Sequence, residues 1–223
     1  MWLFNSSIGR KVIMSVTGLC LILFLTFHMS MNVVALFSAE GYNMICELLG
    51  ANWYAVVATL GLAALAVIHI IYAFILTMQN KAARGSERYA VTEKPSKVEW
   101  ASQNMLVLGL IVIIVLILHL VNFWAKMMLV DLVGTGDLAH SADGAYWIRE
   151  TFSNGAYVVV YLIWIAALWF HLSHGFWSAL QTMGWNGKVW FTRWKVIGIA
   201  YVSLLCAGFA IVVLWFFFNS ICC

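Results

Sequence analysis

The sequence predicts an all-α integral membrane protein: a bundle of five transmembrane helices with a cytoplasmic N-terminus. Three observations carry that expectation. Of the 223 residues, 64% are apolar and 9% charged, and the mean hydropathy is +0.94. Soluble domains run near about 45–50% apolar and about 25% charged, so this much apolar surface has to face lipid. The charges are also confined to short stretches, leaving five long windows without Asp, Glu, Lys or Arg. Finally, there is one proline and no period-two alternation. That argues against a sandwich and against an outer-membrane barrel, the one other architecture that satisfies its backbone in lipid.

The charge-free windows are 12–39, 48–80, 100–125, 151–187 and 196–223. Crossing about 30 Å of hydrocarbon takes about 20 helical residues at about 1.5 Å each. Each window holds one crossing, and even 151–187 is too short for two helices and a turn. The first helix is placed near 12–36, directly after Arg10 and Lys11. A basic pair before an apolar run also opens a signal peptide, but this run is long and lacks a small-x-small cleavage site, so it is kept as a span. The second lies near 55–79, the third near 103–125, the fourth near 157–183 and the fifth near 196–218, all in one unit covering 1–223.

Basic residues set the orientation. With the N-terminus cytoplasmic, that side carries Arg10, Lys11, Lys81, Arg84, Arg88, Lys94, Lys97, Lys188, Arg193 and Lys195, and the outer side carries Lys126 and Arg149. Ten of twelve on one face follows the positive-inside rule. The outer connections hold most of the acids, including Glu40, Glu47, Asp131, Asp137, Asp143 and Glu150. Trp53, Trp124, Trp147, Trp185, Trp190 and Trp194 fall near proposed helix ends, as aromatic belts do.

Several function classes drop out. A net charge of +3 is too small and scattered for nucleic-acid binding, and no glycine loop to cradle phosphate is present. Cys20, Cys46, Cys206, Cys222 and Cys223 show no C-x-x-C spacing, which removes support for a zinc site, an iron–sulfur cluster or covalently attached haem. The inner connections, 80–102 and 184–195, are short. Chemistry is therefore expected inside the bilayer or on a partner.

Histidine is the informative residue. His140 falls in the long outer connection and is expected to be solvated. His28, His69, His119, His171 and His174 fall within the spans, where ionisable residues are rare and usually functional. Helices one to four each carry histidine, helix five carries none, and the proposed spans contain no acid or base to pair with an imidazole. Counted from the cytoplasmic ends, His28 and His119 lie about 24 Å in, and His69 and His171 about 15–18 Å in, at helical rise. Two levels result, each with two imidazoles from different helices. Facing imidazoles in a bundle form an axial pair for haem iron, and two histidines on one iron favour electron transfer over oxygen chemistry. Small residues such as Ser15, Gly18, Ala63, Gly109, Ala166 and Gly175 permit a flat macrocycle without requiring one. Zinc lacks a third ligand here. His171 and His174, three residues apart on one face, compete for one role; depth slightly favours His174, and periodicity does not decide.

The segments G-R-K-V-I-M-S-V-T-G-L (9–19), F-L-T-F-H-M-S-M-N (24–32) and F-H-L-S-H-G-F-W-S (170–178) resemble the cytochrome b membrane anchor of succinate dehydrogenase/fumarate reductase. More narrowly, they are similar to its single-chain, five-helix, two-haem class that works with menaquinone. The likeness runs from residue 9 to about 215. It implies an anchor in the bacterial inner membrane for a flavoprotein and an iron–sulfur subunit on the cytoplasmic face, which carry the dicarboxylate chemistry. It also implies two b haems passing electrons between the iron–sulfur subunit and menaquinone. By position, His28 and His119 match the ligands of the distal haem, and His69 and His171 those of the proximal haem. In helix four the resemblance selects the histidine before L-S-x-G, which is His171. Glu47, in the outer connection before helix two, is the candidate acid for quinone. The basic inner connections become the docking surface for the iron–sulfur subunit. Dimerisation of the complex and the roles of Cys222 and Cys223 stay open.

Two other readings stand beside this one. The first is a two-haem anchor of a different respiratory complex, such as a hydrogenase or formate dehydrogenase. The second is a non-haem transporter with histidines lining a polar path, against which continuous charge-free spans speak.

Overall fold

The computed structural model describes residues 6–50, 52–83 and 99–222, with Cys222 through its backbone alone. Arg84, Arg88, Lys94 and Lys97 of the predicted docking surface lie outside the described residues, as does Cys223. The described chain is all α-helical in character, with no strand, and five of its helices are long and apolar enough to cross a membrane.

Helix α1 spans Ser7–Val34. It starts five residues before the expected boundary because Ser6 caps it, its hydroxyl accepting the Gly9 N–H at 2.9 Å. A hydroxyl there satisfies one of the open amides of the first turn. A short α2, Ala39–Leu48, follows on the outer side, capped in the same manner by Ser38. The second crossing is α3, Trp53–Ala83. A single turn, α4 (Trp100–Gln103), leads into the third crossing, Met105–Val133. This crossing changes character along its length: α5 is Met105–His119, Leu120–Leu129 is a π-helix, and α6 is Val130–Val133. It ends at Gly134, whose φ of 71° is the left-handed conformation that stops a helix without steric cost. Helix α7, Gly144–Phe152, precedes the fourth crossing, α8, Gly155–Thr182, and α9, Trp190–Cys222, is the fifth.

Four spans include charges expected to lie outside them: α1 holds Arg10 and Lys11, α3 holds Lys81, and the third and fifth crossings hold Lys126, Arg193 and Lys195. The last three rest on aromatic faces. Lys126 lies inside the third crossing, its ammonium 4.5 Å from the centre of the Trp147 ring. Arg193 and Lys195 lie inside the first turns of α9, over Trp190 at 5.2 Å and Trp177 at 4.3 Å. Long basic side chains near helix ends bury their stems and keep the charged head at the interface, here on aromatic faces.

The packing is a ring with one helix outside it. Helix α1 packs on α3 and on α8, and α5 packs on α8 and on α3, so four helices enclose a central axis. Helix α9 packs against the outer side of α8 and α1. The tightest part of the core lies there, around Val202, Leu205 and Ile148. Polar stitches add to it: Trp169 Nε1 donates to Ser203 Oγ at 2.9 Å, and the Thr26 and Tyr201 hydroxyls bond across α1 and α9. The opposite side is looser. Helix α3 has one buried residue, Ala55, so side-chain packing does not close the ring along α3.

On the outer side α2 and α7 form a clasp within the outer connections, where the sequence predicts no helix. Asn43 Nδ2 donates to Asp143 at 2.8 Å and Asn43 Oδ1 accepts the Ala145 N–H at 2.9 Å. Gly144 lets the two helices touch: a Cβ there would overlap Cys46 Sγ and lie 2.7 Å from the Tyr42 ring. His140, expected to be solvated, is held in this layer. It stacks on Tyr146 at 4.2 Å, and its Nδ1 lies 2.9 Å from Asp137.

Candidate functional site

The four ring helices each turn one histidine toward the axis. His28 of α1 and His119 of α5 face one another with ring centroids 5.8 Å apart and planes at 89°. His69 of α3 and His171 of α8 face one another at 6.4 Å and 67°. Both pairs join helices that stand diagonally across the ring, α1 with α5 and α3 with α8. Neither of these helix pairs is among those in close backbone packing. Side chains, not backbones, meet across the centre.

The two pairs sit at separate levels, and two helices measure the offset independently. A Cβ on Gly18 of α1 would lie 3.2 Å from His69 Cε1, and one on Gly109 of α5 would lie 3.7 Å from His171 Cε1. The lower rings therefore lie against Gly18 and Gly109. Each glycine is ten residues before the upper histidine of its own helix, His28 or His119. Ten residues at helical rise are about 15 Å. The absence of a side chain at both glycines lets an imidazole rest on the neighbouring backbone.

Aromatic rings surround the upper pair. Phe24 stacks on His28 at 5.4 Å, with Phe209 at 5.9 Å from it, and His119 meets Phe123 at 5.1 Å and Trp164 at 5.5 Å. The π-helix begins one residue after His119. Its wider turn turns Asn122 into the protein, where its Nδ2 donates to Tyr161 Oη at 3.2 Å. Runs of π-helix are rare and concentrate at functional sites.

The donor set can be tested against a metal-centred group. Two opposed imidazoles bonded to one metal ion at about 2.0–2.1 Å each have ring centres about 6–6.5 Å apart, close to the 5.8 Å and 6.4 Å of the two pairs. Among the described residues no three His, Cys, Asp or Glu side chains gather into a metal site, and each pair offers two imidazole donors. His119 Nδ1 and His171 Nδ1 are buried without a hydrogen-bond partner. Leaving such a nitrogen unsatisfied costs about 1–3 kcal/mol; Trp124 Nε1 and Thr151 Oγ1 are unpartnered in the same way, so these atoms do not by themselves mark a bound group. His28, His69, His119 and His171 are each intermediate in burial as whole residues. On geometry and donor type, the residues fit a haem iron at each level.

The remaining candidates fall elsewhere. His174 turns away from the lower pair: its Nδ1 lies 3.4 Å from Glu99 Oε2, Lys195 donates to Glu99 Oε1 at 2.7 Å, and the Trp177 ring is 4.9 Å from the imidazole. Glu99 stands just before α4. Partial burial pushes its carboxyl upward, but the bonds from Lys195 and His174 outweigh this and hold it below its ordinary value. Glu47 lies exposed near the end of α2, and its side chain makes no hydrogen bond or ion pair among the described residues. The structure thus brings His28 to His119 and His69 to His171, and leaves His174 and Glu47 outside both pairs.

Thr17 was not singled out from the sequence. Its hydroxyl lies 3.2 Å from His69 Nδ1. The available signal was spacing: Thr17 precedes His28 by eleven residues, about three helical turns, which puts both on one stripe of α1. Comparison with protein-family models, curated proteins and solved structures finds no match.

Proposed function

We propose that this chain is a di-haem cytochrome b membrane anchor of a succinate dehydrogenase/fumarate reductase complex, moving electrons between an iron–sulfur subunit and menaquinone. One observation carries the reading: two histidine pairs, at 5.8 Å and 6.4 Å, join diagonally opposite helices at two levels of one bundle. His28 and His119 would hold the distal haem and His69 and His171 the proximal one. A haem held by two histidines supplies one-electron transfer with no open coordination position.

The chain's own residues do the rest. The ring of α1, α3, α5 and α8 fixes the four imidazoles on rigid helices, and Phe24, Phe123, Trp164 and Phe209 keep water from the upper pair. Gly18 and Gly109 let the lower imidazoles sit close to the neighbouring backbones. The resemblance implies a bacterial inner membrane, and the positive-inside pattern supports a cytoplasmic N-terminus, with the His69–His171 level on that side. There the basic connections, Lys188, Arg193 and Lys195 among them, would receive the iron–sulfur subunit, with the flavoprotein beyond it. Glu47, exposed on α2, is the candidate for accepting protons from menaquinol on the outer side.

Purifying the native complex, identifying its soluble partners and quantifying haem tests this reading. The expected result is about two b haems per chain together with a flavoprotein and an iron–sulfur subunit. Haem with hydrogenase or formate dehydrogenase partners would keep the cytochrome and replace the complex. A haem-free preparation that moves a solute would replace the whole reading with a transporter.

A further inference from the structure

We propose that Thr17 is the positioning residue of His69, holding its imidazole in the tautomer whose Nε2 is free to bind iron. This rests on the haem reading above and adds to it a residue that touches no iron.

The assignment follows from counting hydrogens. A threonine hydroxyl has one hydrogen and can also accept. Thr17 Oγ1 lies 2.9 Å from the Ile13 carbonyl and 3.1 Å from the Met14 carbonyl of its own helix, the back-bonding that helical threonines make. The nearest acceptor, the Ile13 carbonyl, takes that hydrogen in our assignment, which leaves the oxygen to accept from His69 Nδ1 at 3.2 Å. With the Thr17 oxygen as acceptor, Nδ1 carries the proton and Nε2 keeps its lone pair. Thr17 is itself buried, at 4% exposure, so no water competes for the bond. Gly18, the next residue, removes the side chain that would hold the ring away.

The bond also makes the four histidines unequal. Among the described residues, no hydrogen bond reaches the rings of His28, His119 or His171, so His69 alone is oriented in this way. An acceptor on the far nitrogen of a metal-bound imidazole raises its basicity and fixes its orientation, and a more basic ligand favours ferric over ferrous iron. Thr17 accordingly tunes one haem and not the other.

Redox titration of the purified two-haem protein, followed optically, tests this. Thr17→Val keeps the shape and deletes the acceptor. The ferric–ferrous balance of the haem that His69→Ala removes should shift about threefold toward ferrous. The other haem should keep its midpoint, and Thr17→Ser should restore the wild-type value. Thr17→Ala, smaller than the native residue, provides a second deletion should the valine variant not fold. Both midpoints unchanged in Val and Ala, with both haems retained, overturns the role of Thr17 and leaves the haem reading standing. A folded wild-type protein without haem overturns both.

Discussion

His69 turns its Nδ1–Cε1 edge toward Gly18: a methyl group on that glycine would come within 3.2 Å of the ring's Cε1 and 3.6 Å of its Nδ1. Helix α1 therefore serves both levels of the bundle, giving His28 to the upper pair and a side-chain-free bed to a ring of the lower one.

That contact predicts a graded response. Gly18→Ala asks the imidazole to give by a few tenths of an ångström and should cost about 1 kcal/mol or less. Gly18→Leu drives a branched chain into the ring and should remove the haem that His69→Ala also removes, sparing the other. Haem-to-protein ratios and thermal unfolding of the two variants check this; loss of the His28–His119 haem in the leucine variant would contradict it.

His174 and His171 are three residues apart on α8 yet have different surroundings. His171 faces His69, whereas His174 faces Glu99. His174→Ala should thus retain both haems and lower stability by about 1 kcal/mol or less, the range of a partly exposed ion pair. His171→Ala should lose one haem. A haem lost with His174→Ala would move the ligand to that position.

Glu99 gives a pH dependence with a definite sign. Lys195 and His174 hold its carboxyl below the ordinary value of 4.5 in the folded chain. A depressed folded value means stability that is fully present above the unfolded value and lost as pH falls through the folded one. The thermal midpoint of the wild type should exceed that of Glu99→Gln above about pH 4.5, and the gap should close below it. A gap that widened on acidification would contradict the pairing.

The outer clasp makes a separate prediction. Gly144→Ala would overlap Cys46 and press on Tyr42, parting α2 from α7 at a cost of about 1–3 kcal/mol by overpacking. The ring of α1, α3, α5 and α8 does not depend on that contact, so haem content should be unchanged while thermal stability falls.

The five crossings were legible because lipid imposes a coarse rule: about 20 apolar residues per span, with charges outside. The histidines were legible because an imidazole in such a span is conspicuous. Where helices began and ended was less so. Lys126, Arg193 and Lys195 marked boundaries by charge, but tryptophan faces let the helices continue past them. The π-helix after His119 was hidden because L-V-N-F-W-A-K-M-M-L has nothing in its composition to separate it from an α-helix. Helices α2 and α7 were hidden by shortness and polarity. The depth count placed the two histidine levels less than about 10 Å apart, and the contacts at Gly18 and Gly109 extend that to about 15 Å. Which helices stand diagonally, and that Thr17 reaches His69 on another helix, depends on the three-dimensional packing of four segments and is not written in any one of them.

The pairing of the four histidines is tested most directly by replacing each with alanine and recording reduced-minus-oxidised spectra and haem content of the folded protein. The account predicts b-type haem in the wild type. It further predicts that His28→Ala and His119→Ala abolish the same spectral component, and that His69→Ala and His171→Ala abolish the other. Loss of components in any other pairing, or a folded wild type with no b-type haem, would contradict it.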